Sequence, residues 1–217
     1  MFLHGWGGNV RSFGGAFTYF SERGNKCLTL DFPPFGNSDS PQSDWSLKDY
    51  THLTLSVLEH FGLENVTLVG HSFGGRVAID IASKTNIVKR LVLVSSAGLK
   101  RKRGLIFKLK QLAFRYKKSQ GKNVDKYYSP DYLAMPTDLR GVFSRIVSED
   151  LSGRLKYVNC PTLIVWGRRD TETPPEMARR LKKKIKNSQI VWLDGGHFAY
   201  AEKHTAFVSV LDEFLGN

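Results

Sequence analysis

The stretch that decides the fold is residues 66–75, which read Val-Thr-Leu-Val-Gly-His-Ser-Phe-Gly-Gly. Its first four residues form an apolar run typical of a buried strand, and the residues that follow the stretch suit a helix. Ser72 stands between Gly70 and Gly74, whose small size leaves room for a turn that strains the serine backbone. The alternative is an ordinary capping serine in a strand-to-helix turn. The pattern as a whole predicts a nucleophilic serine at a helix N-terminus, where backbone N–H groups stabilise negative charge.

Apolar strands alternate with helices along most of the chain, which predicts an α/β fold with a mostly parallel sheet and helices on both faces. The predicted strands cover residues 2–3, 26–32, 66–69, 90–95, 162–166 and 189–193. The predicted helices cover residues 12–23, 46–61, 76–82, 175–185 and 205–215. Residues 98–157 break this alternation, because they are basic and helical only in places.

The chain carries an excess of positive charge, with a formal net charge of +12 over 217 residues. The excess is concentrated at residues 100–126, where Asp125 is the only acid, and at residues 179–186. Such surfaces attract anionic partners, so an acidic carrier or an anionic ligand is a candidate partner of the first segment. A solvated, solubilising face is the alternative. Because no nucleic-acid-binding motif accompanies the charge, nucleic acid is not expected to be a partner.

Composition narrows the class of protein further. The hydrophobic fraction of 41% is enough for a packed core in one domain. No apolar run approaches the ~20 residues of a transmembrane helix, and residues 1–5 lack the pattern of a signal peptide. The two cysteines, Cys27 and Cys160, do not make a disulfide framework, so we expect a cytoplasmic protein. No metal and no cofactor are expected, because the sequence has neither metal-ligand spacing nor a dinucleotide-binding glycine motif after a strand.

Several predicted strands end in loops that carry chemically useful residues. Ser72 follows one strand, while Asp170 follows residues 162–166 and His197 follows residues 189–193. Because ligands in an open α/β sheet lie beyond the carboxyl ends of parallel strands, we expect these loops to meet at one edge. A serine hydroxyl needs a neighbouring base, and the imidazole of His197 is suited to that role near neutral pH. A carboxylate must orient the imidazole, and we assign that role to Asp170 in preference to Asp194, Glu172 and Asp131.

The glycine-rich loop at residues 4–8 follows the first strand and completes this edge of the sheet. An oxyanion formed in the reaction needs two aimed donors, and the backbone N–H groups of Trp6 and Phe73 are the candidates for an oxyanion hole. We expect four residues to contact the substrate: Gly5, His71, Phe35 and Phe198. Aromatic residues of the basic segment are further candidates for an apolar acyl pocket, with core packing as their alternative role: Phe107, Phe114 and Phe143.

These motifs together resemble those of the α/β-hydrolase family. The matching stretches run in the family's order, nucleophile then acid then base, and lie at residues 4–8, 31–38, 70–75, 166–170 and 195–198. Within the family the chain is similar to small serine esterases, both carboxylesterases and the methyl esterase type that acts on a pimeloyl carrier protein. The resemblance implies a hydrolase core of residues 1–97 and 158–217, with residues 98–157 inserted as a small helical cap.

The chain departs from the family at its N-terminal end. The family usually has a further hairpin of sheet before the glycine loop, whereas only three residues precede His4. The resemblance therefore implies that the family's first two strands are missing here, through a late start of the sequence or a naturally minimal fold. Residues 26–32 are then expected to form a bare edge of the sheet. Such an edge favours pairing with a second copy of the chain as a homodimer.

The function that the resemblance implies is hydrolysis of carboxylic esters with small to medium acyl chains through an acyl-enzyme. Ser72 attacks the ester carbonyl in this scheme, with His197 as the base and Asp170 as the acid that orients it. Two alternatives stay open. The same three residues serve in C–C bond hydrolases and perhydrolases, and the fold also supports a non-catalytic binding protein.

Overall fold

A computed structural model describes residues 1–100, 114, 116–117, 119–121, 123 and 125–216. In these residues the sheet has five strands, arranged in the order of the sequence. They are β1 (Phe2–Leu3), β2 (Val66–His71), β3 (Val88–Val94), β4 (Thr162–Gly167) and β5 (Ser188–Leu193). Each strand pairs in parallel with the next, so all their carboxyl ends lie at the same edge of the sheet. The predicted α/β architecture is confirmed.

The helices of the described ranges include all those predicted, with small changes at their ends. They are α1 (Gly14–Glu22), α2 (Leu47–His60), α3 (Phe73–Lys84), α4 (Pro130–Ala134), α5 (Arg140–Ser148), α6 (Pro175–Lys184), α7 (Ala199–Glu202) and α8 (His204–Leu215). Helix α2 begins where the sequence indicates, because Ser46 and Asp49 form a capping box at its N-terminus. The helix predicted at residues 12–23 begins later, since a 3₁₀ helix at Val10–Phe13 precedes α1.

The sheet is buried between two layers of helices. In β4, Leu163 and Val165 pack on one face, in a cluster with residues of α1 and α8. Ile164 and Trp166 pack on the other face, in a cluster with residues of α2, α3 and α6. This alternation is the period of two that a strand imposes, and a strand buried on both faces is apolar throughout.

The prediction of a strand at residues 26–32 is wrong. In that segment Thr29 alone forms a bridge to Phe2, and the Phe2 N–H donates to the carbonyl oxygen of Leu28 at 2.8 Å. The neighbouring strand β1 has only two residues, because the chain turns at Trp6 directly after it. With so short a partner, the segment stays half-buried beside β1 and cannot extend a hydrogen-bonded ladder.

Residues 98–157 connect β3 to β4, and their described part contains α4 and α5. The C-terminal end of this segment is anchored to α3. The Arg76 guanidinium donates to the carbonyl oxygen of Glu149 at 2.7 Å, and Arg154 forms ion pairs with Asp80 and with the Glu149 side chain. Because Arg76 and Asp80 both belong to α3, the segment is anchored to the helix that follows the serine turn.

Three further observations concern the described part of the chain. None of its helices is long and apolar enough to cross a bilayer. It contains no group of three His, Cys, Asp or Glu side chains placed to hold a metal ion. Cys27 and Cys160 are both free thiols, and burial raises the pKa of each.

Candidate active site

Ser72 lies in the sharp turn between β2 and α3. Its φ of 47° and ψ of −108° place a non-glycine residue in a backbone region that costs about 1–3 kcal/mol. The turn is tight because the backbone approaches closely at both flanking glycines. A Cβ on Gly70 would lie 2.5 Å from the carbonyl oxygen of Gly74, and a Cβ on Gly74 would lie 2.1 Å from that of Leu3. The strand–turn–helix geometry that the sequence predicts is therefore present around Ser72.

His197 and Asp170 come from the loops after β5 and β4, which the parallel sheet brings together. His197 Nδ1 lies 2.9 Å from Asp170 Oδ2, and both side chains are buried. The two loops touch at their backbones, since a Cβ on Gly167 would lie 2.0 Å from the carbonyl oxygen of Gly196. The carboxylate favours a proton on Nδ1, which leaves Nε2 as the nitrogen able to accept one.

Thr173 is a further member of this network that was not predicted from the sequence. Its hydroxyl oxygen lies 2.7 Å from Asp170 Oδ2 and 3.0 Å from the carbonyl oxygen of Ser95. Its backbone N–H donates to Asp170 Oδ1 at 2.9 Å. The signal in the sequence is an aspartate followed three residues later by a threonine, a spacing at which a side-chain oxygen can accept from nearby N–H groups. Thr173 thereby fixes the carboxylate toward His197.

These hydrogen bonds decide the charge of Asp170. Burial by itself raises the pKa of the carboxyl group, but hydrogen bonds from His197 and Thr173 outweigh burial and hold the pKa below its usual range. Asp170 is therefore a carboxylate at neutral pH. Its charge lies where it can stabilise a positive charge on the imidazole.

The three alternative acids are placed differently. Asp194 is exposed and forms an ion pair with a neighbouring arginine. The side chain of Asp131 lies outside the described residues. Glu172 Oε2 lies 3.5 Å from His197 Nε2, whereas Asp170 faces Nδ1. The two ring nitrogens therefore face two different carboxylates.

Ser72 lies beside this pair without a hydrogen bond to it. In the ranges that the structure describes, no hydrogen bond joins Ser72 Oγ to His197. The residue before Ser72, His71, packs against the base, because its ring centroid lies 4.7 Å from that of His197. Hydrogen bonds between a catalytic serine and its base often form only in the substrate complex.

His71 is held neutral by its surroundings. Burial, together with the nearby imidazole of His197, lowers its pKa from 6.5 to about 3. The neutral ring carries its proton on Nε2, which donates to the carbonyl oxygen of His197 at 3.1 Å. His71 therefore positions the backbone of His197 as an uncharged group.

The glycine loop lies against the serine turn. A Cβ on Gly5 would lie 3.3 Å from Ser72 Cβ and 2.7 Å from His71 Nδ1. His4 fixes the start of the loop, because its Nδ1–H donates to the Gly5 carbonyl at 2.7 Å and its Nε2 accepts from the Phe32 N–H at 2.8 Å. Burial lowers the pKa of His4, which favours the neutral ring that these two contacts need.

Two backbone N–H groups of this region are unpaired. Among the residues that the structure describes, none accepts a hydrogen bond from the N–H of Trp6 or from that of Phe73. Phe73 is the first residue of α3, and the first N–H groups of a helix have no acceptor within the helix. Both N–H groups are thus available to an acceptor from outside the chain.

Aromatic side chains gather around Trp6. Its ring centroid lies 5.0 Å from that of Phe35, 5.3 Å from that of Phe73 and 5.0 Å from that of Phe143 in α5. Trp6 Nε1 is buried and makes no hydrogen bond with the described residues. The cluster joins the glycine loop, the serine turn and helix α5.

The other aromatic residues expected to contact the substrate lie elsewhere. Phe198 is 50% exposed, and its ring centroid lies 5.3 Å from that of His197. Phe114 packs against Tyr127 and Tyr128, with ring centroids 5.7 Å apart in both pairs. Phe107 lies outside the described residues.

The sequence also matches known proteins. The model of the alpha/beta hydrolase family matches residues 1–210. The chain belongs to this family. This α/β-hydrolase is 28% identical to Lipase 1 of Psychrobacter immobilis over 250 residues, which cover 98% of this chain and 77% of the lipase.

Solved structures share the fold of this α/β-hydrolase. An alpha/beta hydrolase enzyme from a metagenome of Mar Chica lagoon sediments in Morocco is 26% identical, with a TM-score of 0.73 over 99% of this chain and 89% of that one. The esterase of Exiguobacterium antarcticum is 22% identical, with a TM-score of 0.78 over 100% of this chain and 91% of that one. The α/β-hydrolase thus shares its fold with an esterase and is related in sequence to a protein named as a lipase.

Proposed function

We propose that this α/β-hydrolase is a serine carboxylesterase that cleaves esters of small to medium acyl chains through an acyl-enzyme. The observation that carries the proposal is the buried contact of 2.9 Å between His197 Nδ1 and Asp170 Oδ2, beside the strained turn that presents Ser72. A base oriented by a carboxylate, next to a serine at a helix N-terminus, is the arrangement that activates a hydroxyl group. The relative named as a lipase supports an ester as the substrate.

In the first half of the reaction, Ser72 Oγ attacks the ester carbonyl carbon and gives its proton to His197 Nε2. Asp170 keeps the other ring nitrogen protonated and stabilises the imidazolium that forms. The carbonyl oxygen gains a negative charge, to which the N–H groups of Trp6 and Phe73 donate. His197 then gives the proton to the leaving alcohol oxygen as the C–O bond breaks, and Ser72 is left acylated.

In the second half, a water molecule takes the place of the alcohol. His197 accepts a proton from the water as its oxygen attacks the acyl carbon. The bond to Ser72 Oγ breaks, and His197 returns the proton to that oxygen. The carboxylic acid leaves, and the free serine is restored.

The acyl chain is proposed to lie against the aromatic cluster at Trp6. Phe143 extends that cluster into residues 98–157, which supports the interpretation of this segment as a cap on a core of residues 1–97 and 158–217. The anchor of the segment on α3, through Arg76, keeps it close to the serine turn. The remaining proposed substrate contacts border Ser72 or His197: Gly5, His71 and Phe198.

Two predicted interaction surfaces remain predictions. Most of the basic stretch at residues 100–126 lies outside the described residues, so the docking of an acidic carrier or an anionic ligand there is a proposal from charge alone. The predicted homodimer is likewise a proposal. Its edge now consists of the half-buried segment around Thr29, which forms a single bridge to β1.

The test of the proposed function is hydrolysis of p-nitrophenyl esters from acetate to dodecanoate by the native chain, Ser72→Ala and Ser56→Ala. Ser56 is an exposed serine of α2 and serves as the matched control. We expect the highest rate with a small or medium acyl chain, a loss of at least about 10³-fold in Ser72→Ala, and no change in Ser56→Ala. Undiminished hydrolysis by Ser72→Ala, or none by the folded native protein, contradicts the proposal.

The same assay separates the alternatives that the sequence leaves open. A C–C bond hydrolase cleaves a β-diketone faster than it cleaves the esters. A perhydrolase forms peracid when hydrogen peroxide is added to the ester. A non-catalytic binding protein turns over none of these compounds at any chain length.

A further inference from the structure

Two carboxylates bracket the imidazole of His197. Asp170 Oδ2 lies 2.9 Å from Nδ1, and Glu172 Oε2 lies 3.5 Å from Nε2. The two acids differ in exposure, since the Asp170 side chain is fully buried and that of Glu172 is 58% exposed. Asp170 therefore lies on the protein side of the ring and Glu172 on the solvent side.

The backbone of the loop holds Glu172 in this place. Its N–H donates to Asp170 Oδ1 at 2.9 Å, and the next N–H, from Thr173, donates to the same oxygen at 2.9 Å. Within the described ranges, no lysine or arginine forms an ion pair with Glu172, although the chain as a whole carries a formal charge of +12. Glu172 therefore places its carboxylate beside Nε2 with no lysine or arginine of the described residues within ion-pair distance.

The position of this charge relative to a bound ester follows from the role of Nε2. In the proposed function, on which this inference rests, Nε2 donates a proton to the leaving alcohol oxygen at a distance of about 3 Å. Adding the 3.5 Å between Nε2 and Glu172 Oε2 places that oxygen within roughly 6.5 Å of the carboxylate. The acyl chain is proposed to lie elsewhere, against Trp6, so Glu172 faces the alcohol part of the ester.

We propose that Glu172 selects esters whose leaving alcohol carries a cationic group, such as a quaternary ammonium on a short linker. A positive group about three bonds beyond the leaving oxygen, as in a choline ester, comes close to the Glu172 carboxylate while that oxygen meets His197 Nε2. The carboxylate attracts it both in the bound ester and in the transition state, and the acyl-enzyme that follows is the same for every alcohol. Glu172 therefore affects the acylation step and discriminates between leaving groups only.

The experiment compares two butyrate esters of the same shape, the choline ester and the 3,3-dimethylbutyl ester, which differ only in the charged nitrogen. The quantity measured is the ratio of their kcat/KM values for the native protein, Glu172→Gln and Glu59→Gln. Glu59 is an exposed acid of α2 and serves as the control. We expect the native ratio to favour the choline ester and to fall roughly three- to tenfold in Glu172→Gln, as for a partly exposed ion pair. Added salt should lower the native ratio toward that of the variant.

Each outcome tests either the role of Glu172 or the esterase function on which that role rests. An equal ratio in the native protein and in Glu172→Gln, with both esters hydrolysed, overturns the role of Glu172 and leaves the esterase proposal intact. A fall of the same size in Glu59→Gln also overturns it, because general surface charge then explains the preference. If the folded protein hydrolyses neither butyrate, the esterase proposal itself fails and the inference fails with it.

Discussion

His71 is a buried histidine whose titration ties the stability of the fold to pH, and His71→Gln is the substitution that removes this titration. The glutamine amide can still donate to the carbonyl oxygen of His197, as Nε2–H of His71 does at 3.1 Å. The variant therefore keeps the hydrogen bond and loses the group that takes up a proton. Some packing is lost in the variant at every pH, so the informative quantity is the change of stability with pH.

The size of the effect follows from the pKa of His71, which falls from 6.5 to about 3 because of burial and the nearby His197 imidazole. A folded-state pKa below the unfolded value means that the contribution of His71 to stability is complete above pH 6.5 and is lost as the pH falls toward 3. Each pH unit inside that window costs about 1.4 kcal/mol. Between pH 7 and pH 4.5, this single group lowers the free energy of unfolding by about 2–3 kcal/mol.

The assay is urea unfolding of the native protein, His71→Gln and His52→Gln at both pH values. His52 is an exposed histidine of α2 and serves as the control. We expect the loss of unfolding free energy between pH 7 and pH 4.5 to be about 2–3 kcal/mol smaller in His71→Gln than in the other two proteins. His4 is present in all three proteins, so the comparison isolates the change at position 71. Equal losses in all three proteins would refute the assignment of His71 as a neutral, buried group.

Two further substitutions test the site and the turn. Asp170→Asn keeps the size of the side chain but removes the negative charge that faces His197 Nδ1. We expect kcat with p-nitrophenyl butyrate to fall by a factor on the order of 10³–10⁴. A fall of less than tenfold would contradict the role of the carboxylate. Gly74→Ala places a Cβ 2.1 Å from the carbonyl oxygen of Leu3, so it should lower the free energy of unfolding by about 3 kcal/mol or prevent folding. Gly14→Ala, which meets no atom within 4 Å, is the matched control for thermal unfolding, and equal melting temperatures for the two variants would refute the close approach.

The serine turn could be predicted because its determinants are local. An apolar run, a serine between two glycines and a following helix lie within a few residues of one another, and steric contact alone requires the small residues. The meeting of the Asp170 and His197 loops could also be predicted, since parallel strands place their carboxyl ends at one edge. This prediction needs only the parallel direction of the strands, and not which strand pairs with which.

The remaining features depend on contacts that are distant along the chain. The apolar pattern of residues 26–32 suits a strand, but a ladder also needs a partner of sufficient length, and β1 has only two residues. Thr173 and Glu172 lie in a loop whose course is set by hydrogen bonds to Asp170. The spacing of Thr173 indicates a contact with Asp170, but it does not show where either residue lies relative to His197. Their contacts with Asp170 and with the imidazole are visible only in the folded chain.

The central claim, that Ser72 is the nucleophile activated by His197 and Asp170, is tested most directly by a fluorophosphonate probe and peptide mass mapping. We expect the native protein to carry the phosphonyl group on the peptide that contains Ser72, Asp170→Asn to react much more slowly, and Ser72→Ala to remain unlabelled. A probe attached to another residue in the folded native protein, or a native protein that does not react at all, would contradict the claim.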